Sequence, residues 1–173
     1  MRNILLGGFM GCGKSTVGRE LAALTGRRFV DMDSFIEEEA GMPVSAIFER
    51  YGEAEFRRRE QEACRRLAGE TGLVIAAGGG ALTFPANVEA LERGCDIVLL
   101  DVTPETVLRR LEGDDSRPLL QGPDKEGAVR GLFAARLPLY EKAARLRVDG
   151  ERPPREVAAD IAARLNKAGG TEA

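Results

Sequence analysis

The chain has no histidine and no tryptophan among its 173 residues, and it has only three cysteines. Without histidine, the protein has no Ser-His triad, no histidine general base and no histidine-ligated zinc site. Cys12, Cys64 and Cys95 form an odd and sparse set, which argues against a disulfide framework and for a reducing compartment. These absences exclude several large classes of enzyme.

Long apolar runs and an excess of one charge are also lacking. No apolar run approaches the roughly 18 residues of a membrane-spanning helix, and the apolar stretch near the N-terminus is too short for a signal-peptide core. There are 25 lysines and arginines against 28 aspartates and glutamates, so the net charge is only −3. We therefore expect a cytoplasmic protein whose partners include neither nucleic acid nor membranes.

Short apolar runs alternate with longer helical patterns along the chain. The runs predict buried strands at 3–6, 29–30, 73–76, 97–100 and 146–148. The helical patterns cover 15–24, 53–70, 88–93, 104–111 and about 155–165. This alternation is typical of an α/β protein in which a parallel sheet lies between two layers of helices. We expect one domain over 1–165 and a flexible C-terminal tail over 166–173.

Two segments depart from the alternation. Residues 34–51 contain two short helical patterns that are broken at Gly41-Met42-Pro43. Residues 113–125 contain glycine, proline and charged residues without a regular period, which is unusual inside a compact domain. We interpret residues 113–125 as a mobile lid.

The clearest motif is Gly8-Phe9-Met10-Gly11-Cys12-Gly13-Lys14-Ser15, which matches the phosphate-binding pattern G-x-x-x-x-G-K-[ST] between a predicted strand and a predicted helix. Its glycines let backbone N–H groups point towards an anion, and the helix N-terminus adds a positive dipole. We expect Lys14 to reach the β- and γ-phosphates of ATP and Ser15 to ligate Mg²⁺. The predicted ATP-binding residues of this segment are Gly11, Cys12, Gly13, Lys14, Ser15 and Thr16.

Cys12 has two interpretations inside this loop. It is either a small residue that tolerates the tight turn, or a thiol whose pKa is lowered by nearby amide N–H groups and Lys14. In the second case a thiol reagent would inactivate the protein, and bound nucleotide would protect it.

Two aspartates are predicted at the end of the second strand, where the carboxyl ends of parallel strands form the ligand crevice. Alternation along a strand would place Asp31 and Asp33 on the same side. One carboxylate would then hold a metal-bound water, and the other would orient an acceptor hydroxyl. The alternative is that Asp33 only caps the helix that starts near Ser34.

Two further features each have a structural alternative. Arg57 lies near the start of a predicted long helix. Glu60, three residues later, would face it and hold its side chain in place, although the segment also fits a solvated helix face. The segment Gly78-Gly79-Gly80 follows a predicted strand, so it either lets the backbone approach a ligand closely or forms an ordinary turn.

Two more arginines are ambiguous in the same way. Arg117, in the predicted lid, either reaches the γ-phosphoryl group in the manner of an arginine finger or is a solvated loop residue. Arg136 is predicted to end a helix before Pro138, where it would serve only as a charge at the helix C-terminus unless it binds a ligand.

Together these motifs resemble the shikimate kinase family. The segments GFMGCGKSTVGRELA, DMDSFIEEEAG, FRRRE, GGG, SRPLL and RLPLY occur in that family's order, from about residue 4 to residue 165. The resemblance implies a three-layer P-loop kinase fold like that of nucleoside monophosphate kinases, with a central five-stranded parallel sheet and a lid. It also implies transfer of the γ-phosphoryl group of ATP to the 3-hydroxyl of shikimate, a step towards chorismate and the aromatic amino acids.

The resemblance assigns roles on the acceptor side of the site. It implies that Asp33 contacts the ring hydroxyls and acts as the base, and that Arg57 and Arg136 bind the shikimate carboxylate. It places the Gly78-Gly79-Gly80 turn, through the amide of Gly79, against the substrate. It also implies that helices within about 33–60 bind shikimate and that Arg117 meets the ATP phosphates.

The resemblance also assigns roles on the nucleotide side. Ser15 is expected to hold Mg²⁺ directly, with Asp31 close by through water. The family's adenine-binding loop precedes the last helix and corresponds here to 151–155. Arg110 and Arg152 are the candidates for stacking on the adenine ring.

Three other functions fit parts of the sequence. A gluconate kinase would need a different acceptor pocket, against which the paired arginines and the two aspartates argue. An adenylate kinase-like enzyme would need a second base-recognition pocket, for which the sequence offers no candidate. A regulatory module without turnover would be expected to lack Lys14, Asp33 or Arg117, and all three are present. No additional apolar face is evident, so we expect a monomer.

Overall fold

The structure, a computed structural model, describes residues 1–113 and 122–169. In this part of the chain five strands alternate with seven α-helices. The strands are β1 (Asn3–Gly7), β2 (Arg28–Asp31), β3 (Leu73–Ala76), β4 (Cys95–Asp101) and β5 (Leu146–Asp149). The helices are α1 (Lys14–Thr25), α2 (Met32–Ala40), α3 (Val44–Gly69), α4 (Pro85–Glu92), α5 (Pro104–Arg110), α6 (Lys125–Ala143) and α7 (Pro154–Gly169).

The five strands form one parallel sheet in the order β2-β3-β1-β4-β5. Every residue of β1 and β3 is buried, which explains why these strands read as continuous apolar runs rather than alternating ones. Helices α1 and α7 pack against each other, as do α3 and α4. The three-layer α/β arrangement and all five predicted strands are confirmed.

The strand order creates a crevice beside the central strand. After β1 the chain passes to β2 at one edge, whereas after β3 it crosses β1 to reach β4 on the other side. The segments that leave the carboxyl ends of β1 and β3 therefore diverge, and ligands of open α/β sheets bind at such points. The segments are the phosphate-binding loop after β1 and the triple glycine after β3.

The predicted break within 34–51 is confirmed. Helix α2 ends at Gly41, which has a positive φ of 66°, and α3 begins after Pro43. A second break lies at Gly52, whose φ of 82° and ψ of 174° interrupt α3 just before the helix predicted from residue 53. The predicted cap of α5 is confirmed as well, because the side chain of Thr103 accepts a hydrogen bond from Thr106 N at 3.2 Å.

The prediction that Arg136 ends a helix is wrong, because α6 continues through Pro138 to Ala143. Proline removes the hydrogen bond to the carbonyl four residues earlier, which belongs to Ala134. Both Ala134 and Pro138 are exposed, so water can replace that hydrogen bond and the helix tolerates the proline.

The C-terminal prediction is wrong in part. Val157 and Ile161 are fully buried on α7 and Leu165 packs beside them, as the apolar stripe predicted. The helix nevertheless extends to Gly169, so residues 166–169 are helical rather than a loose tail.

Residues 170–173 lie outside the described residues, as do residues 114–121, which are most of the predicted lid. Within the ranges described, no helix combines the length and apolarity needed to cross a membrane.

Candidate active site

The loop between β1 and α1 forms a tight turn around the amine of Lys14. Gly8, Gly11 and Gly13 have φ values of 139°, 74° and 99°, a region that side chains disfavour. Lys14 Nζ donates to the carbonyl oxygens of Gly8 at 2.8 Å and Phe9 at 3.0 Å. The loop therefore has the backbone conformation that the phosphate-binding motif requires.

Cys12 is enclosed by this loop and is only 1 % exposed. Its Sγ lies 3.7 Å from Lys14 Nζ, and a Cβ atom at Gly8 would approach Sγ to 2.8 Å. Such packing favours the interpretation of Cys12 as a small residue suited to the turn, and its reactivity stays a prediction. The other two cysteines are buried and free, and burial raises the pKa of Cys64 to about 12 and that of Cys95 to about 11.

Asp31 connects the phosphate-binding loop to helix α2. Its Oδ2 accepts a hydrogen bond from Ser15 Oγ at 2.8 Å, and its Oδ1 accepts from the backbone N–H groups of Asp33 at 3.1 Å and Ser34 at 3.3 Å. Asp31 is thus the N-cap of α2. Two predictions are corrected here: β2 ends at Asp31, so Asp33 lies in the first helical turn rather than on the strand, and Asp33 is not the cap.

Ser15 and Asp31 supply hydroxyl and carboxylate oxygens, which are the donors that Mg²⁺ prefers. Within residues 1–113 and 122–169 no group of three or more acidic or cysteine side chains could hold a metal by itself. Mg²⁺ at nucleotide sites uses one or two protein ligands and takes the rest from phosphates and water. The Ser15–Asp31 pair fits that requirement.

The turn Gly78-Gly79-Gly80 after β3 brings the predicted acceptor residues together. A Cβ atom at Gly78 would lie 2.9 Å from Asp33 Oδ1, and one at Gly80 would lie 2.9 Å from Arg57 Nη1. Both distances are too short for a real carbon atom, so only glycine lets the carboxylate and the guanidinium approach this closely. The turn therefore lies directly against two of the predicted acceptor residues, and its contact with a ligand stays a prediction.

Arg57 is half-buried and is held by Glu60. Arg57 Nη1 donates to Glu60 Oε1 at 3.0 Å and to Oε2 at 3.2 Å, and Asn87 Nδ2 donates to Oε1 at 3.4 Å. Glu60 is 1 % exposed. Burial raises the pKa of the Glu60 carboxyl, and the positive charge of Arg57 opposes that shift. The predicted pairing of Arg57 with Glu60 is confirmed, and a solvated surface role for Arg57 is excluded.

Arg136 reaches the same turn from α6. Arg136 Nη1 donates to Gly79 O at 3.3 Å, and the hydroxyl of buried Tyr140 donates to the same oxygen. Burial raises the pKa of Tyr140, so its hydroxyl stays protonated as a donor at neutral pH. A Cβ atom at Gly79 would lie 4.0 Å from Met10 N. Asp33, Arg57 and Arg136 therefore meet at one turn beside the phosphate-binding loop.

A cleft of about 330 Å³ lies on the other side of that loop. Six predicted ATP-binding residues line it: Gly11, Cys12, Gly13, Thr16, Arg110 and Arg152. Arg110 Nη1 donates to Gly11 O at 3.3 Å, and Arg110 Nη2 donates to Gly150 O at 3.2 Å. Arg152 Nη2 pairs with Asp160 of α7 at 2.8 Å. Arg110 thus lies against the loop, whereas Arg152 is anchored to the last helix.

One predicted site residue lies outside the described residues, and two residues beside the site were not predicted. Arg117 lies outside the described residues. Tyr140 was not predicted, although its position four residues after Arg136 on one helix places both side chains on the same face. Phe84, whose ring lies 4.8 Å from Arg57 Cζ, was not predicted either. No local pattern identifies it, because the contact joins residues 27 positions apart.

Comparison with known proteins identifies the family of the chain. The family model described as shikimate kinase matches residues 10–166. The chain is 46 % identical over 170 residues to the shikimate kinase of Symbiobacterium thermophilum, covering 96 % of this chain and 98 % of that protein. It is 49 % identical over 138 residues to the shikimate kinase of Moorella thermoacetica, covering 80 % and 79 %.

Solved structures show the same relationship. A shikimate kinase from Acinetobacter baumannii in complex with shikimate superimposes with a TM-score of 0.91 at 39 % identity, covering 97 % of this chain and 94 % of that chain. A gluconokinase from Sinorhizobium meliloti superimposes with a TM-score of 0.56 at 17 % identity, covering 96 % and 97 %. A likeness at that level of identity shows a shared fold and nothing more.

Proposed function

The chain belongs to the shikimate kinase family, and we propose from this premise which residues perform each part of its reaction. The reaction is transfer of the γ-phosphoryl group of ATP to the 3-hydroxyl of shikimate, which yields shikimate 3-phosphate and ADP. This activity belongs to aromatic amino acid biosynthesis. The observation that supports the residue assignment best is the convergence of Asp33, Arg57 and Arg136 on the Gly78–Gly80 turn beside the phosphate-binding loop.

The phosphate-binding loop and Lys14 hold the β- and γ-phosphates in this proposal. Lys14 donates to the loop's own carbonyl oxygens. Phosphate oxygens offer the amine stronger acceptors, because they carry full negative charge. The adenosine lies along the cleft lined by Thr16 and Arg110, with Arg152 at its far wall. The nucleotide would thereby place its terminal phosphorus next to Met10 and the Gly79 turn.

Ser15 and Asp31 would hold Mg²⁺, Ser15 directly and Asp31 through water. The ion would neutralise charge on the β- and γ-phosphates when bound. The 2.8 Å hydrogen bond between the two oxygens supports their assignment to one site. Ser15 would offer its hydroxyl oxygen to the ion, and Asp31 would accept a hydrogen bond from a water bound to it.

Arg57 and Arg136 would bind the carboxylate of shikimate on the acceptor side. Planar guanidinium groups form paired hydrogen bonds with carboxylates, which fixes orientation as well as affinity. Asp33 then faces the ring hydroxyls and accepts the proton of the 3-hydroxyl. That oxygen forms a bond to the γ-phosphorus while the bond from this phosphorus to the β–γ bridging oxygen breaks, and ADP leaves with the electron pair.

The lid and the assembly of the protein complete the proposal. Arg117 would meet the ATP phosphates from the segment 113–125 and stabilise the negative charge of the transferring group. We further propose that residues 1–165 act as one domain and that the protein is a cytoplasmic monomer. Shikimate binding would close the helices within 33–60 and ATP binding would close the lid, and this closure would exclude water that otherwise accepts the phosphoryl group.

A coupled assay of ADP release tests the activity. We expect rapid ADP release with shikimate, and little release without an acceptor or with gluconate or AMP in its place. ADP release that is independent of shikimate would mean hydrolysis, and stimulation by gluconate or AMP would overturn the acceptor assignment.

Three substitutions test the residue roles. Arg57→Ala and Arg136→Ala should raise the KM for shikimate far more than the KM for ATP. Asp33→Asn should leave ATP binding intact and abolish turnover, because the amide cannot accept the hydroxyl proton. Equal changes in both KM values would show that the two arginines do not bind the acceptor carboxylate.

A further inference from the structure

Phe84 occupies a position that the fold does not explain. It is the N-cap residue of α4, with an extended backbone at φ −105° and ψ 118° and no side-chain capping bond. Residues with short polar side chains are strongly preferred there, since they accept hydrogen bonds from the first free N–H groups. The ring is also 38 % exposed, so it contributes little to the core. A residue that breaks a local preference without a packing benefit points to a functional role.

The ring of Phe84 lies against the guanidinium of Arg57. Arg57 Cζ is 4.8 Å from the ring centroid, within the range of a cation–π interaction. Phe84 follows Gly80 by only the short 3-10 turn Ala81–Thr83, so this segment contacts the guanidinium at two points. The buried ring of Phe56 on α3 also lies near it, 5.2 Å from Arg57 Cζ. A Cβ atom at Gly80 would lie 3.3 Å from Arg57 Cζ. The segment after β3 thus forms a wall against which the guanidinium rests.

The remaining contacts of Arg57 leave one edge of the guanidinium open. Nη1 donates to Glu60 at 3.0 Å and Nε donates to Glu53 at 3.4 Å. In the part of the chain that the structure describes, Nη2 has no hydrogen-bond partner. The two glutamates hold the guanidinium by its edges, Glu60 from a buried position and Glu53 from a side chain that is 66 % exposed. They do not restrict its rotation out of plane, because hydrogen bonds to the edges lie in the plane of the guanidinium. Aromatic rings supply that restriction, and the Phe84 ring, at 4.8 Å, is nearer to Arg57 Cζ than the Phe56 ring, at 5.2 Å.

We infer that Phe84 is a positioning residue for carboxylate recognition: its ring holds the Arg57 guanidinium in the plane in which Nη2 can donate to the acceptor carboxylate. This inference rests on the proposed role of Arg57 in binding shikimate. Phe84 touches no reacting atom in this scheme, so it affects the affinity for the acceptor rather than the phosphoryl transfer step.

Substitutions of Phe84 that remove or retain a π face test the inference. Phe84→Leu keeps an apolar side chain but loses the π face, and it should raise the KM for shikimate about three- to tenfold. The KM for ATP and kcat should stay within a factor of two. Phe84→Tyr and Phe84→Trp retain the π face and should keep the KM for shikimate close to that of the wild type.

The absence of tryptophan from the chain adds a direct binding measurement. F84W carries the sole tryptophan next to Arg57, and we expect its fluorescence to change on titration with shikimate in the absence of ATP. Phe29→Leu is the matched control, because Arg19 Cζ lies 4.7 Å from the Phe29 ring centroid in a pair outside the site. It should leave the KM for shikimate unchanged even if it lowers the melting temperature.

The kinetic results separate failure of this inference from failure of the proposed function. If the wild type shows no shikimate-dependent ADP release, the proposed function fails. If the wild type is active but F84L has an unchanged KM for shikimate, or F84Y and F84W are as impaired as F84L, the inference is overturned. It is also overturned if F29L raises this KM as much as F84L does.

Discussion

The hydroxyl of Ser15 donates a 2.8 Å hydrogen bond to Asp31 Oδ2, while Asp31 Oδ1 caps helix α2. One carboxylate therefore joins the first turn of the nucleotide-binding helix to the helix that carries Asp33. Asp31 has a structural and a proposed metal-binding role, which substitutions can separate.

Asp31→Asn should raise the Mg²⁺ concentration needed for half-maximal activity several-fold. The amide oxygen still caps α2, since asparagine is as good an N-cap as aspartate, but the negative charge near the metal is lost. Thermal melting should be nearly unchanged. Asp31→Ala, which loses the cap as well, should destabilise the protein by about 1 kcal/mol. An unchanged Mg²⁺ requirement in D31N would contradict the metal-binding role.

Tyr140→Phe should raise the KM for shikimate about two- to fivefold. The change removes one donor from Gly79 O and leaves Arg136 as its partner, at a cost of about 1 kcal/mol. Steady-state kinetics with each substrate varied in turn would measure it. Tyr51, the other tyrosine, is exposed, so Tyr51→Phe is the control and should be silent. A larger effect on the KM for ATP would contradict the proposed placement of the turn.

Arg117→Ala should lower kcat by about 100-fold or more, which corresponds to about 3 kcal/mol of transition-state stabilisation. The physical reason is loss of the positive charge proposed to meet the transferring phosphoryl group. The KM for shikimate should change little, since Arg117 is not placed at the acceptor. Arg93→Ala, at an exposed position on the protein surface, is the control. If R117A turns over at the wild-type rate, the lid arginine has no catalytic role.

Glu60→Gln should make the stability of the protein less dependent on pH. Burial raises the pKa of Glu60 above its ordinary value of 4.5, despite the positive charge of nearby Arg57. The folded state then binds the proton more tightly than the unfolded state, so this group's contribution to stability falls as pH rises from 4.5 through the folded pKa. Relative to the wild type, E60Q should therefore gain unfolding free energy with rising pH.

Urea unfolding between pH 4 and 8 measures this difference. Glu53→Gln is the matched control, because Glu53 pairs with the same Arg57 but is exposed. E53Q should follow the wild-type profile. Parallel profiles for E60Q and the wild type would show that Glu60 does not titrate differently in the folded state.

Much of the fold was predictable because local chemistry dictates it. The fully buried β1 and β3 read as unbroken apolar runs, and the glycines around Lys14 identify the phosphate-binding loop. The predictions failed where tertiary context overrides local preference. Pro138 predicts the end of a helix by local preference, yet its exposed position lets α6 continue. The strand was predicted to reach Asp33 because two aspartates stand two residues apart, and local preference alone does not decide which of them is the N-cap of α2.

The sequence by itself determined the strand–helix alternation, the phosphate-binding loop and, through motif order, the family of the chain. These follow from interactions between residues close together along the chain, or from motifs that carry their own chemistry. Only the tertiary structure decided that Arg57, Arg136 and Asp33 meet at one glycine turn, and that Phe84 lies against Arg57. The parallel order β2-β3-β1 sets those contacts, because it places the carboxyl ends of β1 and β3 side by side. The two strands are far apart in sequence, since Ile4 of β1 pairs with Val74 of β3, 70 residues later.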